Sequence, residues 1–502
     1  MRLAVGAAVL AACGRYAYLR LTVMPPRSAD NYYEGLCPDR TPSADDVTAE
    51  LLPIMLTLGQ SVSFNYPPPP NGMTWQWPRG GSVPASGTLD VTDSLNGGWE
   101  PAARPNLQTV IAHLESGLIR ADLDKLRAYR GHPWYYCTEA EFAKQPGAVT
   151  LSGVRAAVKM LATDARYQHA ERRDATAAWE DLKTGLWLAD TLTPDSLISL
   201  MVSTACEQLC LVELRSMTFE CDIPPPLAAD MDDTLRAVSP LASRWRSAIQ
   251  GNAATWQARL DTCFTRDANG NGWLNLSAQA PLLYKVSAWG APTAGAPCSR
   301  LWNLASIFYN GRRTVEAKLR RFVAAIERAG TLPYPDAVVA FSEAEDRATP
   351  FSVFDGRWLN QMAQVKNRGI FQGVMKGEAC RQATRLTVAL GRFKAEHDDY
   401  PDVLSQLVPD YIDALPEDPF GAPSLTYRRE GDSYQLYSIG ANGKDDGGWP
   451  GTRPLGALSE DGDQLFIYPR RAPAMEPILV PAPGTTQPAA PDTAPAENDA
   501  RE

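Results

Sequence analysis

At 502 residues the chain is too long for a single small module and corresponds to roughly three domains or one long repetitive array. With 44% apolar and 21% charged residues it can bury a sizeable core, which excludes wholesale disorder. Its 48 basic and 58 acidic side chains give a net charge of −10, which argues against a nucleic-acid partner recognised through its phosphates. The one basic concentration, Arg312 and Arg313 with Lys318, Arg320 and Arg321, has the spacing of a solvated helix face.

Residues 1–24 read as a signal or anchor segment. Met1 and Arg2 precede an apolar run over 3–14, which is shorter than the roughly 20 residues of a transmembrane helix and matches the core of a signal peptide. Within it, Leu10, Ala11, Ala12, Cys13 and Gly14 look like a bacterial lipobox, with the Cys13 thiol as the lipidation site. The other readings are an anchor helix extending to about Val23, with Arg15 and Arg20 snorkelling, and a cytoplasmic protein with a buried helix. On the first two the bulk of the chain lies outside the cytoplasm, anchored at the inner membrane, with the membrane and other envelope proteins as partners.

Residues 25–100 hold a helical segment from about Asp45 to Leu58. A loop follows over 66–87, where four consecutive prolines, Pro67 to Pro70, precede Trp75 and Trp77. Residues 101–375 show helical periodicity. Val154, Val158, Leu161 and Ala165 form one stripe; Ala178, Leu182, Leu186 and Ala189 a second; Leu197, Met201, Ala205, Leu209 and Val212 a third. Residues 164–192 resemble one tetratricopeptide-like hairpin, without a strict 34-residue period in the chain. Cys206 and Cys210 lie one turn apart and read as small core residues. Asp267, Asn269 and Asn271, with Gly270, copy the first half of a helix-loop-helix calcium loop, but the twelfth position is Ala278, so the shell lacks its bidentate acid.

Residues 376–470 form the expected second domain. A helix carries Ala383, Leu386, Leu390 and Phe393 on one face, then come His397 to Pro401, then Leu415, Pro416, Glu417, Asp418, Pro419, Phe420 and Gly421. A hairpin over 425–427 and 434–439 leads into Gly440, Ala441, Asn442 and Gly443. This ordered set resembles the globular domain of the major pseudopilin of bacterial type II secretion, a type IV pilin-like fold. The resemblance implies calcium in the loop after the second strand, on Asn442, Asp445, Asp446 and Asp461 or Asp463. The chain departs from it in Asn442, which replaces an acid, and in an insertion over 449–459. Arg357, Lys366, Arg368, Lys376 and Glu378 also keep the upstream stretch out of a membrane. Residues 471–502, with seven prolines, read as a disordered tail in which only Ile478, Leu479 and Val480 are bulky.

The expected fold is therefore a mainly α multi-helix region followed by a small α+β module with an antiparallel sheet. No phosphate loop, dinucleotide glycine fingerprint, nucleophile elbow or HExxH zinc motif occurs, so neither nucleotide nor catalytic residue is assigned. His132, in a Gly-His-Pro turn, reads as a helix cap. The functional expectation is a non-catalytic interaction or structural scaffold in the envelope. The rivals are an exported hydrolase, with a cleft between the helical region and the Trp-rich loop over 66–99, and an accessory component of a secretion or pilus-like system.

Overall fold

The computed structural model describes residues 11, 13–15, 45–65, 73–76, 88–90, 104–134, 151–192, 196–274, 309–347, 355, 367–449, 462–466 and 478–481. It is mainly helical, with a small three-stranded antiparallel sheet. The helices are α1 (Thr48–Ser61), α2 (Arg104–Leu114), α3 (Gly117–Tyr129), α4 (Leu151–Ala170), α5 (Ala175–Thr191), α6 (Leu197–Glu220), α7 (Pro225–Ala237), α8 (Leu241–Cys263), α9 (Arg312–Ala329), α10 (Tyr334–Arg347) and α11 (Asn367–His397). The sheet is β4 (Thr426–Glu430), β5 (Ser433–Ser438) and β6 (Gln464–Leu465), with β5 central.

α4 and α5 form a hairpin whose second helix starts at Asp174, where the carboxylate accepts the Ala177 N–H at 2.9 Å. Its two expected stripes are buried: Val154, Val158, Leu161 and Ala165 on α4, and Ala178, Leu182, Leu186 and Ala189 on α5. α6 begins with a reciprocal cap, in which the Ser196 hydroxyl accepts the Ser199 N–H and the Ser199 hydroxyl accepts the Ser196 N–H. It then packs against α4, α5, α8 and α11. By length and composition α6 could cross a membrane, the one such helix among the described residues, with mean hydropathy 1.5. Four helix neighbours and the buried Glu207 and Glu213 make it the core helix of the fold.

The stripe expected on α6 is corrected by the structure. Leu197 is buried, but Met201 and Ala205 are exposed and Leu209 and Val212 only half-buried. The buried faces carry Leu200, Cys206, Cys210, Leu211 and Leu214, together with Ser203, Thr204 and Glu207. Because α6 is apolar almost all round, four-residue spacing can be drawn on any face, and neighbouring helices decide which is covered.

α11 continues without a break through residues 375 and 376, where the domain boundary was expected, and lies along α6 in the same direction. Arg215 of α6 donates to Thr384 Oγ1 at 2.6 Å, and a Cβ built on Gly377 would lie 2.4 Å from Thr204 Cγ2. The sheet joins this pair through Phe219 of α6, which stacks on Tyr434 of β5 at 5.4 Å. Trp245 of α8, with Phe371 at 5.1 Å and Phe341 at 5.5 Å, ties α8, α10 and α11 together.

Two strands lie in segments expected to lack regular structure. Within the Pro/Trp-rich loop, β2 (Met73–Gln76) pairs antiparallel with β7 (Ile478–Pro481), inside the segment expected to be a disordered tail. The pairing uses Ile478, Leu479 and Val480, the three aliphatic residues of that tail. β1 (Ser63–Asn65) also pairs with β3 (Thr88–Asp90).

The tight α6–α11 approach makes a direct prediction. Gly377→Ala places a methyl against the stiff Thr204 side chain and should cost about 1–3 kcal/mol in urea unfolding. Gly373→Ala on the same helix, where a Cβ meets nothing within 4 Å, should be neutral or stabilising by up to about 1 kcal/mol.

Candidate functional site

The loop leaving β5 gathers Asn442, Asp445, Asp446 and Asp463. Gly440 turns the chain at φ +67°, and a Cβ there would lie 2.3 Å from Gly462 O, so only glycine fits where the loop meets the segment entering β6. Asp463 is the loop's internal hub. Its carboxylate accepts the N–H groups of Gly448 at 2.7 Å and Asp446 at 3.1 Å, and its own N–H donates to Trp449 O at 2.8 Å. Asp445 accepts the Tyr437 hydroxyl and the Gly447 N–H, both at 2.9 Å, while Asn442 Nδ2 donates to Asp446 at 2.7 Å. Burial pushes the Asp463 carboxyl above its usual range; the two N–H groups oppose the shift and the charges of Asp445 and Asp446 add to it. The four residues are thus brought into one loop, with their carboxylates engaged by the loop's own donors. Among the described residues no three His, Cys, Asp or Glu side chains converge closely enough to hold a metal. Asp461 and residues 450–459 of the insertion lie outside the described residues.

Below this loop, Asp418 closes the turn that feeds the sheet. It is buried and accepts from the Phe420 N–H at 2.9 Å, the Ser438 hydroxyl at 2.8 Å and the Ile439 N–H at 3.0 Å. Between the same turn and α11 lies a cavity of about 460 Å³, bordered by Glu378, Gln382, Arg385, Asp413, Leu415 and Glu417. Two of its acids are already engaged. Glu378 is held by Arg381 and by Gln382, Asp413 is paired with Arg236 and points into solvent, and Arg385 is turned to Asp232 at 2.9 Å.

The most demanding electrostatics lie deeper, in three clusters joining the helices. Asp164 of α4 and Asp181 of α5 are fully buried and are held by α3. Arg120 grips Asp164 with contacts of 2.6 and 2.9 Å, and Arg127 reaches Asp164 and Asp181, each at 2.7 Å. Burial and the neighbouring Asp164 raise the Asp181 carboxyl well above its usual range, against the pull of Arg127. The second cluster joins α4 to α6: His169 Nδ1 lies 3.0 Å and Arg166 3.3 Å from Glu220, with Glu213 beside them. In the third, Glu207 of α6 sits 3.1 Å from Arg244 of α8 and 3.6 Å from Arg381 of α11.

Sequence reasoning missed these clusters as ion pairs, although the signal was present in charged residues within apolar stripes, such as Asp164 beside Leu161 and Ala165. The other expected positions are elsewhere. The Asp267 carboxylate accepts the N–H groups of Asn269 at 2.9 Å and Asn271 at 2.7 Å and so closes its own turn, below a Phe264–Leu274 bridge. Cys13 is exposed and free. Cys206 and Cys210 are buried and free; burial pushes the Cys206 thiol up to about 12, which removes it as a nucleophile. His132 is exposed in the turn after α3. Of the Trp-rich loop that would wall the expected hydrolase cleft, only 73–76 and 88–90 are among the described residues. Comparison with protein-family models, curated proteins and solved structures returns no match.

The His169 cluster predicts a pH dependence. Burial pulls this imidazole toward its neutral form, but Glu213 and Glu220 outweigh that and raise its pKa above 6.5. A raised folded-state value means that the charged cluster's stabilisation is complete below the unfolded pKa and is lost as pH rises through the folded one. The stability gap between wild type and His169→Gln, read from urea unfolding, should therefore be widest at acid pH and narrow on the alkaline side.

Proposed function

We propose that this chain is a membrane-tethered protein of the bacterial envelope that works as a non-catalytic scaffold, with a pseudopilin-like module near its C-terminus. What carries the non-catalytic part is the engagement of the acids and the buried histidine. Asp164, Asp181, Glu207 and Glu213 are held against cations inside the helical array, and His169 lies among carboxylates. Hydrolysis by paired carboxylates needs one group free to donate a proton and another free to accept one. The hydrolase reading keeps one supporting observation, the cavity bordered by Glu378, Asp413 and Glu417, but two of these three acids are held by arginines.

Element order supports the pilin likeness: one long helix, the Tyr400–Pro401 turn, the Pro416–Gly421 turn, a hairpin and an acidic loop. Its use differs from that of a filament subunit. A pilin stem must present the first half of its helix to other subunits, whereas here Phe371, Val374, Met375 and Ala379 are buried within the same chain. The module therefore acts as part of the scaffold, and the accessory secretion role would run through its sheet face. Val403, before the sheet, and Trp449, in the loop after β5, are exposed and offer apolar contact points on the module.

Fractionation of native cells tests the location. The intact chain should sediment with the inner membrane and be cleaved when protease is added to spheroplasts, while unprocessed chain free in the cytosol would contradict it. A photo-crosslinking residue at Val403 or Trp449 should give discrete protein adducts in the native envelope. Substrate turnover that Glu378→Gln or Glu417→Gln abolishes would establish the hydrolase instead.

A further inference from the structure

The apolar run over residues 3–14 ends at Arg15, and the Arg15 guanidinium lies 3.3 Å from the centre of the Trp273 ring. Trp273 stands beside the start of α9. A Cβ built on Gly311, the residue capping α9, would lie 3.6 Å from its ring, and the Arg312 N–H donates to Gly272 O at 2.8 Å. The polar end of the N-terminal run is thereby placed at the first turn of α9.

α9 is sharply two-faced. Val315, Leu319, Phe322 and Ile326 are buried, whereas Arg313, Ala317, Arg320, Arg321, Ala324 and Arg328 are exposed, with the three- and four-residue spacing of a single stripe. The helix holds six basic and two acidic residues, a balance of +4 in a chain of −10. One of the stripe's four arginines is paired with an acid of the same helix. Glu316 pairs with Arg320, and Glu327 is drawn off by Arg246 of α8. Arg313 and Arg328 make no ion pair among the described residues.

A solvated face accounts for such a stripe in isolation. Its placement next to the residue at which an apolar run ends, with a tryptophan between them, calls for more. We propose that the arginine stripe of α9 lies on the anionic headgroups of the membrane that holds the N-terminal run. This rests on the tethered reading above. Tryptophan favours the membrane–water interface, the guanidinium fork matches phosphate, and an anchored chain presents the stripe to lipid at high effective concentration.

The test uses the full chain with a photo-crosslinking residue at Ala317 or Ala324, reconstituted with vesicles of phosphatidylcholine alone or mixed with phosphatidylglycerol. Lipid adducts should be at least about fivefold more abundant with phosphatidylglycerol, the effect expected of a single arginine at such a surface. They should fall to the neutral-lipid level in high salt and in the Arg313→Glu, Arg320→Glu, Arg321→Glu, Arg328→Glu variant. The corresponding four-fold Gln variant guards against loss of folding and should also lose the difference. Equal adducts with both lipids, while the chain still floats with the vesicles, would overturn this inference and leave the tether standing. Failure to float with either lipid would remove the tether and this inference with it. Protection of the stripe by duplex DNA, without lipid adducts, would show a nucleic-acid surface and overturn the membrane assignment.

Discussion

A glutamate in the middle of an apolar helix sets the terms for the rest of the structure. Glu207 is buried on α6, and the chain sets Arg244 from α8 and Arg381 from α11 against it. Burying such charges confers little stability compared with a well-packed apolar core, but once they are buried, separating them strands an uncompensated ion. The same logic recurs along the array, where Glu213 and Glu220 hold α4 to α6 and Asp164 and Asp181 hold α3 to the α4–α5 hairpin. Apolar packing brings these helices together, and the charges restrict how they can shift.

The chief consequence is for the C-terminal module. Its helix and sheet could have formed an appended domain on a linker, yet α11 is as much a part of the helical array as of the sheet. Gly377 against Thr204, Arg215 on Thr384 and Phe219 on Tyr434 place close packing, a hydrogen bond and a ring stack along one seam. A helix buried this way serves as an internal beam. Among the described residues, the acidic loop after β5 and the arginine stripe of α9 stay exposed.

Local patterns were readable in the chain wherever one physical cause dominated. The α4 and α5 stripes and the hairpin around Gly431 follow from apolar spacing and turn chemistry, and the structure places them as expected. Reading failed where several causes compete. On α6 an all-round apolar surface hides which face is covered, and Met201 and Ala205 end up exposed. The β2–β7 pair joins segments some 400 residues apart, each unremarkable beside its prolines, and pairing at that distance leaves no local trace. Likewise, the acidic loop is expected from the pseudopilin resemblance, which does not show that Asp463 points into its own backbone. The partners of Asp164 and Glu207 come from other helices, which periodicity within one helix cannot supply.

The central claim is that α6 and α11 belong to one cooperative unit. Native-state hydrogen exchange across a denaturant series measures this directly, since each segment reports the free energy of the opening that exposes it. The account predicts that amides in the middle of α6, around Cys210, and of α11, around Leu386, together with β5, merge into a single global opening. If α11 and the sheet instead exchanged as a separate unit of lower stability while α4 to α6 stayed protected, the module would be an appended domain and the account would be wrong.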